Sequence, residues 1–221
     1  MLDRAASDSS QGLCLFLLGT FRVSVGSQAI DNAKWRRRKA SALLKILALA
    51  PAHHLHCEHI INLLWPDASP EDGANNFHQA LYLARHILDP KNTRSPHWLR
   101  LEDDFLSLSS DEPIWIDVEA FEAMATEARR SHAPAAYRQA LDLYSGELLP
   151  EDRYADWTIT RREALQQEYI SLLLGLAETY RARHQHEAAI DALKQVVASE
   201  PNQALPRWWA SPLTKTAGCM L

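Results

Sequence analysis

The chain is poor in glycine, with only seven among 221 residues. They are scattered, so no glycine-rich loop exists to cradle a nucleotide's phosphates. Three cysteines (Cys14, Cys57 and Cys219), odd in number and far apart, imply no disulfide framework. No apolar run approaches the roughly 20 residues of a membrane span. Leu13–Leu18 is far too short, and the polar, Asp-containing start does not read as a signal peptide. The expectation is a cytoplasmic protein with no membrane partner. Nothing resembles a nucleophile elbow or a Cys/His pair on suitable elements, so no enzymatic activity and no cofactor are expected.

What is there divides in two. Residues 1–110 hold 12 Lys and Arg against 11 Asp and Glu, whereas residues 111–221 hold 11 against 17. A near-neutral first half with local basic clusters can meet nucleic acid, and the acidic second half would repel it. Two domains with different tasks are expected.

The chain is organised around Ser69–Leu88. Ser69 suits a helix cap, Pro70 the first helical position, and Asp72 the capping-box spacing. At about 100° per residue, Phe77, Leu81, Ala84 and Leu88 fall on one line, with Ala74 and Ala80 at its edges. Asn75, Gln79, Tyr82 and His86 fall on the opposite line. Amides, a phenol and an imidazole can hydrogen-bond base edges. His78 and Arg85 flank them, where phosphates would lie. A solvated, amide-rich helix would show the same pattern, so the neighbouring elements decide.

Residues 1–12 are polar and read as a disordered N-terminus. Leu13–Leu18, Phe21–Val25 and Gln28–Ile30 read as short strands. Asn32 is placed to cap a helix over Lys34–Ala50, and a second helix spans about Glu58–Trp65 before Pro66. After the third helix, Trp98–Leu101 and Phe105–Leu108 alternate around Glu102-Asp103-Asp104 as a hairpin. Small sheet, three helices and hairpin make a winged helix-turn-helix over 13–110, with the third helix presented to the major groove. Residues 111–201 are helical: Leu173, Leu176, Ala177, Tyr180, Ala189, Leu193, Val196 and Pro201 fit one tetratricopeptide repeat. The fold class is thus α+β followed by all-α, with an irregular tail over 202–221 in which Trp208 and Trp209 stand between prolines.

These motifs carry a resemblance. Leu17-Leu18-Gly19-Thr20-Phe21, Trp35-Arg36-Arg37-Arg38-Lys39-Ala40, Leu64-Trp65-Pro66-Asp67 and Asn76-Phe77-His78-Gln79-Ala80-Leu81 follow one another as in SARP-type bacterial transcriptional activators. Further on, Trp115–Glu122, Leu143–Pro150 and Tyr154-Ala155-Asp156-Trp157 resemble their helical bacterial transcriptional activator domain. The resemblance covers about 13–201 and implies a promoter-binding winged helix followed by a tetratricopeptide-like domain. It also implies double-stranded promoter DNA as partner, with self-association or RNA polymerase contact through the helical domain, which reads as truncated.

On this reading Asn75, Gln79, Tyr82 and His86 contact bases. Lys34, Arg36, Arg37, Arg38, Lys39, His78, Arg85 and Arg100 contact phosphates, which position a protein without reading sequence. The resemblance is imperfect: arginine is frequent in the family at the positions of His78, Leu83 and His86, and the hairpin tip here is acidic. The alternative is a tetratricopeptide-like scaffold whose winged helix no longer binds DNA. His53, His54, His56, Cys57 and His59 suggest zinc, but no second ligand pair follows at a suitable distance, so no metal is expected. Trp115, Phe121, Tyr144, Leu148 and Trp157 read as core of the helical domain, with an aromatic ligand pocket as the sharper alternative.

Overall fold

The computed structural model describes residues 12–36, 38–90 and 98–199. The N-terminal segment, Arg37 and the tail with Trp208 and Trp209 lie outside them. The described chain forms two compact units. One runs to Asp117 and adds Leu149–Ile159; the other comprises Val118–Leu148 and the residues from Thr160 onward.

The first unit opens with strands β1 (Leu13–Phe16), β2 (Arg22–Val25) and β3 (Gln28–Ile30). They pair antiparallel, with Leu15 opposite Val23 and Val23 opposite Ile30. The first strand is shorter than its apolar run because the Leu17 and Leu18 amides donate to the buried carboxylate of Asp117, at 2.8–2.9 Å. A 3-10 turn follows over Asn32–Arg36, where the sequence predicted the start of a helix. Asp31, not Asn32, sets it up: its Oδ1 accepts from Ala33 N at 2.9 Å. The turn buries Trp35 against Phe21, with ring centroids 5.8 Å apart.

Helix α1 (Arg38–Leu49) buries Ala40, Leu43, Leu44 and Leu47. A short strand that the sequence reading missed, β4 (His54–His56), leads into α2 (Cys57–Leu64). Helix α3 (Pro70–Leu88) follows. Ser69 Oγ accepts from Asp72 N at 3.2 Å and donates to the Asp72 carboxylate at 2.7 Å, closing the first turn. The wing is the hairpin β5 (Leu99–Glu102) and β6 (Phe105–Leu108), completed by β4 on the β6 side. Leu99, Leu106 and Leu108 are buried with Phe77, Leu81 and Leu88 of α3 in the core of this unit.

Helices α2 and α3 approach closely. A Cβ built on Gly73 would lie 2.7 Å from Ile61 Cγ2, a methyl on a stiff β-branched side chain. Gly73→Val is expected to lose about 1–3 kcal/mol, the cost of forcing atoms into a packed contact. Urea unfolding measures it, and an unchanged midpoint would refute this packing role.

A second strand absent from the sequence reading, β7 (Ile114–Ile116), runs parallel to β1 with Leu15 opposite Ile116, giving the order β3-β2-β1-β7. Trp115, expected in the helical core, sits on this strand beside Phe16 at 5.2 Å. Leu149–Ile159 completes the unit: Leu149 N donates to Leu17 O at 2.9 Å. The buried Lys45 ammonium pairs with Glu151 at 3.1 Å and with Asp152, and lies over the Phe21 ring at 4.4 Å.

The second unit contains α4 (Asp117–Ser131) after its first residue, α5 (Pro134–Leu143), α6 (Asp156–Ala182) from Thr160, and α7 (His186–Ser199). The tetratricopeptide-spaced Leu173, Leu176, Ala177, Ala189, Leu193 and Val196 are buried, and Tyr180 is half-buried; Pro201 lies outside the described residues. Phe121 and Leu148 are fully buried, and the half-buried Tyr144 stacks on Tyr169 at 4.4 Å. Burial pushes the Tyr144 hydroxyl up to about 12. Buried Arg162 donates to Leu148 O at 3.0 Å and pairs with Glu147 at 3.2 Å, which explains the Glu-Leu of the Leu143–Pro150 motif.

Candidate nucleic-acid interface

Helix α3 separates its two faces as its periodicity predicts. Phe77, Ala80, Leu81, Ala84 and Leu88 are buried, and Asn75, Gln79, Tyr82 and His86 are all exposed. Tyr82 keeps 69% of its surface, unusual for a large aromatic, and its ring lies parallel to that of His86 at 6.3 Å. From Asn75 to His86 the line extends about 16 Å at 1.5 Å per residue, and a major groove about 12 Å wide admits such a helix. Exposed His78 completes the edge, packed against Phe77 at 5.5 Å.

The expected phosphate-contacting cations divide. Lys34 and Arg38 are exposed. The description does not extend to the Arg36 side chain or to Arg37. Lys39 is exposed, but its ammonium donates to the Leu64 carbonyl at the end of α2 and lies 5.6 Å from the Trp65 ring. Arg85 is half-buried, and its Nε donates to Leu99 O at 3.0 Å, tying α3 to the wing. That burial lowers its pKa from the ordinary arginine value. Arg100 is half-buried and faces Asp111 at 3.6 Å. Lys39, Arg85 and Arg100 therefore hold the winged helix together, a role that sequence spacing does not reveal.

The wing turn has two residues, Asp103 and Asp104, both with positive φ (47° and 63°), between paired Glu102 and Phe105. Two left-handed positions favour Asp, Asn or Gly, which accounts for the Asp-Asp pair structurally. It also leaves three exposed carboxylates at the tip.

Three of the clustered histidines have structural partners. His54 and His56 flank Phe105 on the outer face of the wing sheet, at 4.4 and 5.0 Å. His56 Nδ1 accepts from Glu58 N at 3.3 Å, capping α2, and His53 Nδ1 lies 3.2 Å from Leu47 O. His59 is exposed on α2. Burial, with Asp104 adding to it, pushes the Cys57 thiol from 9.0 up to about 11. At pH 8 its thiolate fraction is then about a hundredfold below that of an unperturbed thiol. Iodoacetamide labelling followed by peptide mass mapping is expected to modify Cys57 slowly until the protein is unfolded. Equal rates before and after unfolding would refute that environment.

A winged helix-turn-helix followed by packed helices is the architecture of the chain. Residues 116–204 match the family model of the bacterial transcriptional activator domain (BTAD). The fold is shared with Mycobacterium tuberculosis EmbR, solved in complex with a low-affinity phosphopeptide. The TM-score is 0.69 at 19% identity, over 86% of this chain and 51% of that one. The present chain thus spans about half the length of that protein. No curated protein sequence matches. The domain match places a bacterial transcriptional activator domain at residues 116–204, and the structural likeness shows a shared fold. Among the described residues, no helix is long and apolar enough to cross a membrane.

Proposed function

We propose that this chain is a SARP-type transcriptional regulator, a cytoplasmic, non-enzymatic activator that binds double-stranded promoter DNA through α3. The observation that carries the proposal is the exposed line Asn75, Gln79, Tyr82 and His86 on a helix whose opposite face is buried. Asn and Gln amides pair with adenine through donor and acceptor together, so Asn75 and Gln79 read bases, with Tyr82 and His86 extending the contact. Lys34, Arg36, Arg37, Arg38 and His78 supply phosphate contacts, whereas Lys39, Arg85 and Arg100, expected among them, are engaged within the fold. The helical domain, taken as 111–201, contacts RNA polymerase or a second copy.

The internal engagement of Lys39, Arg85 and Arg100 makes the salt dependence shallow, since each phosphate contact contributes about 0.9 to the slope. Monomer binding is then weak, and two copies on neighbouring half-sites recover affinity through effective concentration. Recovery of bound genomic fragments, followed by a salt titration on the best one, tests the reading. Gln79→Ala is expected to weaken specific binding by about 1–3 kcal/mol and spare non-specific binding. Arg38→Ala is expected to weaken all sequences alike and lower the slope by about one contact. If sequence preference survives Gln79→Ala, α3 is not the reader. Complete absence of salt-dependent DNA binding by the wild type would favour the scaffold alternative, to which the acidic wing already lends support.

A further inference from the structure

In the second unit, the start of α5 and the turn from α6 into α7 border an open groove of about 910 Å³. Arg138, Arg183, His184 and His186 line it, with Tyr180 and a single carboxylate, Glu187. Four other arginines of this unit are neutralised: Arg129, Arg130, Arg161 and Arg162 each have a glutamate within 2.7–3.2 Å. Arg138 and Arg183 have no carboxylate partner among the described residues, and both are exposed. Helix α5 also begins with no side-chain cap, adding the partial positive charge of a helix start. The groove is a positive concavity in the acidic half of the chain.

The wing tip is its complement. Glu102, Asp103 and Asp104 stand exposed on a two-residue turn with no salt-bridge partner among the described residues, and Phe105 beside them is 38% exposed. Three carboxylates on such a tip are repelled by a phosphate backbone.

We infer that the acidic wing tip of one copy docks in the Arg138–Arg183 groove of a second copy. Charge complementarity of this kind orients a contact and suppresses wrong partners. The two surfaces differ, so each contact pairs the tip of one copy with the groove of another. The docking itself does not require DNA.

The test therefore leaves DNA out. Sedimentation velocity of the full chain at low salt is expected to show concentration-dependent association, weakened about tenfold or more when salt is raised to about 0.3 M. Asp103→Lys/Asp104→Lys and Arg138→Glu/Arg183→Glu should each sediment as monomers, with circular dichroism confirming that they are folded. Mixing the two variants should restore association, because each tip then meets a groove of opposite sign. Three results would each overturn the inference: no association by the wild type, loss of association in only one of the two variants, or failure of the mixture to reassociate.

Discussion

Asp117→Ala is expected to cost the winged-helix unit about 3–5 kcal/mol. The Asp117 carboxylate accepts from the amides of Leu17 and Leu18, a hundred residues earlier in the chain, and all three residues are buried. Removing it strands two backbone donors away from water, at about 1–3 kcal/mol each. Asp117→Asn keeps one acceptor oxygen and replaces the other with a donor group facing those amides, so it should fall between wild type and alanine. Urea unfolding followed by tryptophan fluorescence measures both. A loss below about 1 kcal/mol for the alanine variant would show that water replaces the carboxylate.

The second large effect is an asymmetry at Lys45. Its side chain is 4% exposed, whereas those of Glu151 and Asp152 are 40% and 21% exposed. Glu151→Ala/Asp152→Ala leaves an ammonium buried without its counter-charges, which typically costs about 3–5 kcal/mol. Lys45→Met removes the buried charge and fills most of its volume, while both carboxylates retain access to water. It is expected to cost less than about 1.5 kcal/mol. The order of the two variants is the decisive observation. If Lys45→Met proves the more damaging, the ion pair contributes net stability beyond offsetting its own desolvation.

These two networks also show where sequence reading stops. Period and caps suffice for α3: the apolar line from Phe77 to Leu88 is buried, and Ser69 caps as its position predicts. The hairpin is equally legible, because alternation and a polar turn are local signals. By contrast, β7 has only three residues, and its strand character comes from pairing with β1 across a hundred positions. No local pattern encodes that, so the sequence alone places Trp115 in the helical core. The same limit explains Lys39 and Arg85. In sequence they look like free cations near a groove helix, but folding brings the carbonyls of Leu64 and Leu99 to them. The exposed face of α3 could be read from periodicity, whereas the partners of its flanking cations could not.

The placement of Leu149–Ile159 in the first unit has a consequence for biosynthesis. The segment that supplies Glu151 and Asp152 to Lys45 leaves the ribosome only after Val118–Leu148, which belongs to the other unit. The β1 edge likewise waits for Ile114–Ile116. A nascent chain released at residue 110 would carry all three helices and the wing, yet lack the parallel strand, the Asp117 anchor and the counter-charges of a buried lysine. Closing such distant contacts is slow compared with forming local helices. The helix-turn-helix core can therefore form early in translation, while the sheet beneath it is completed last, when the long helix α6 has begun to emerge.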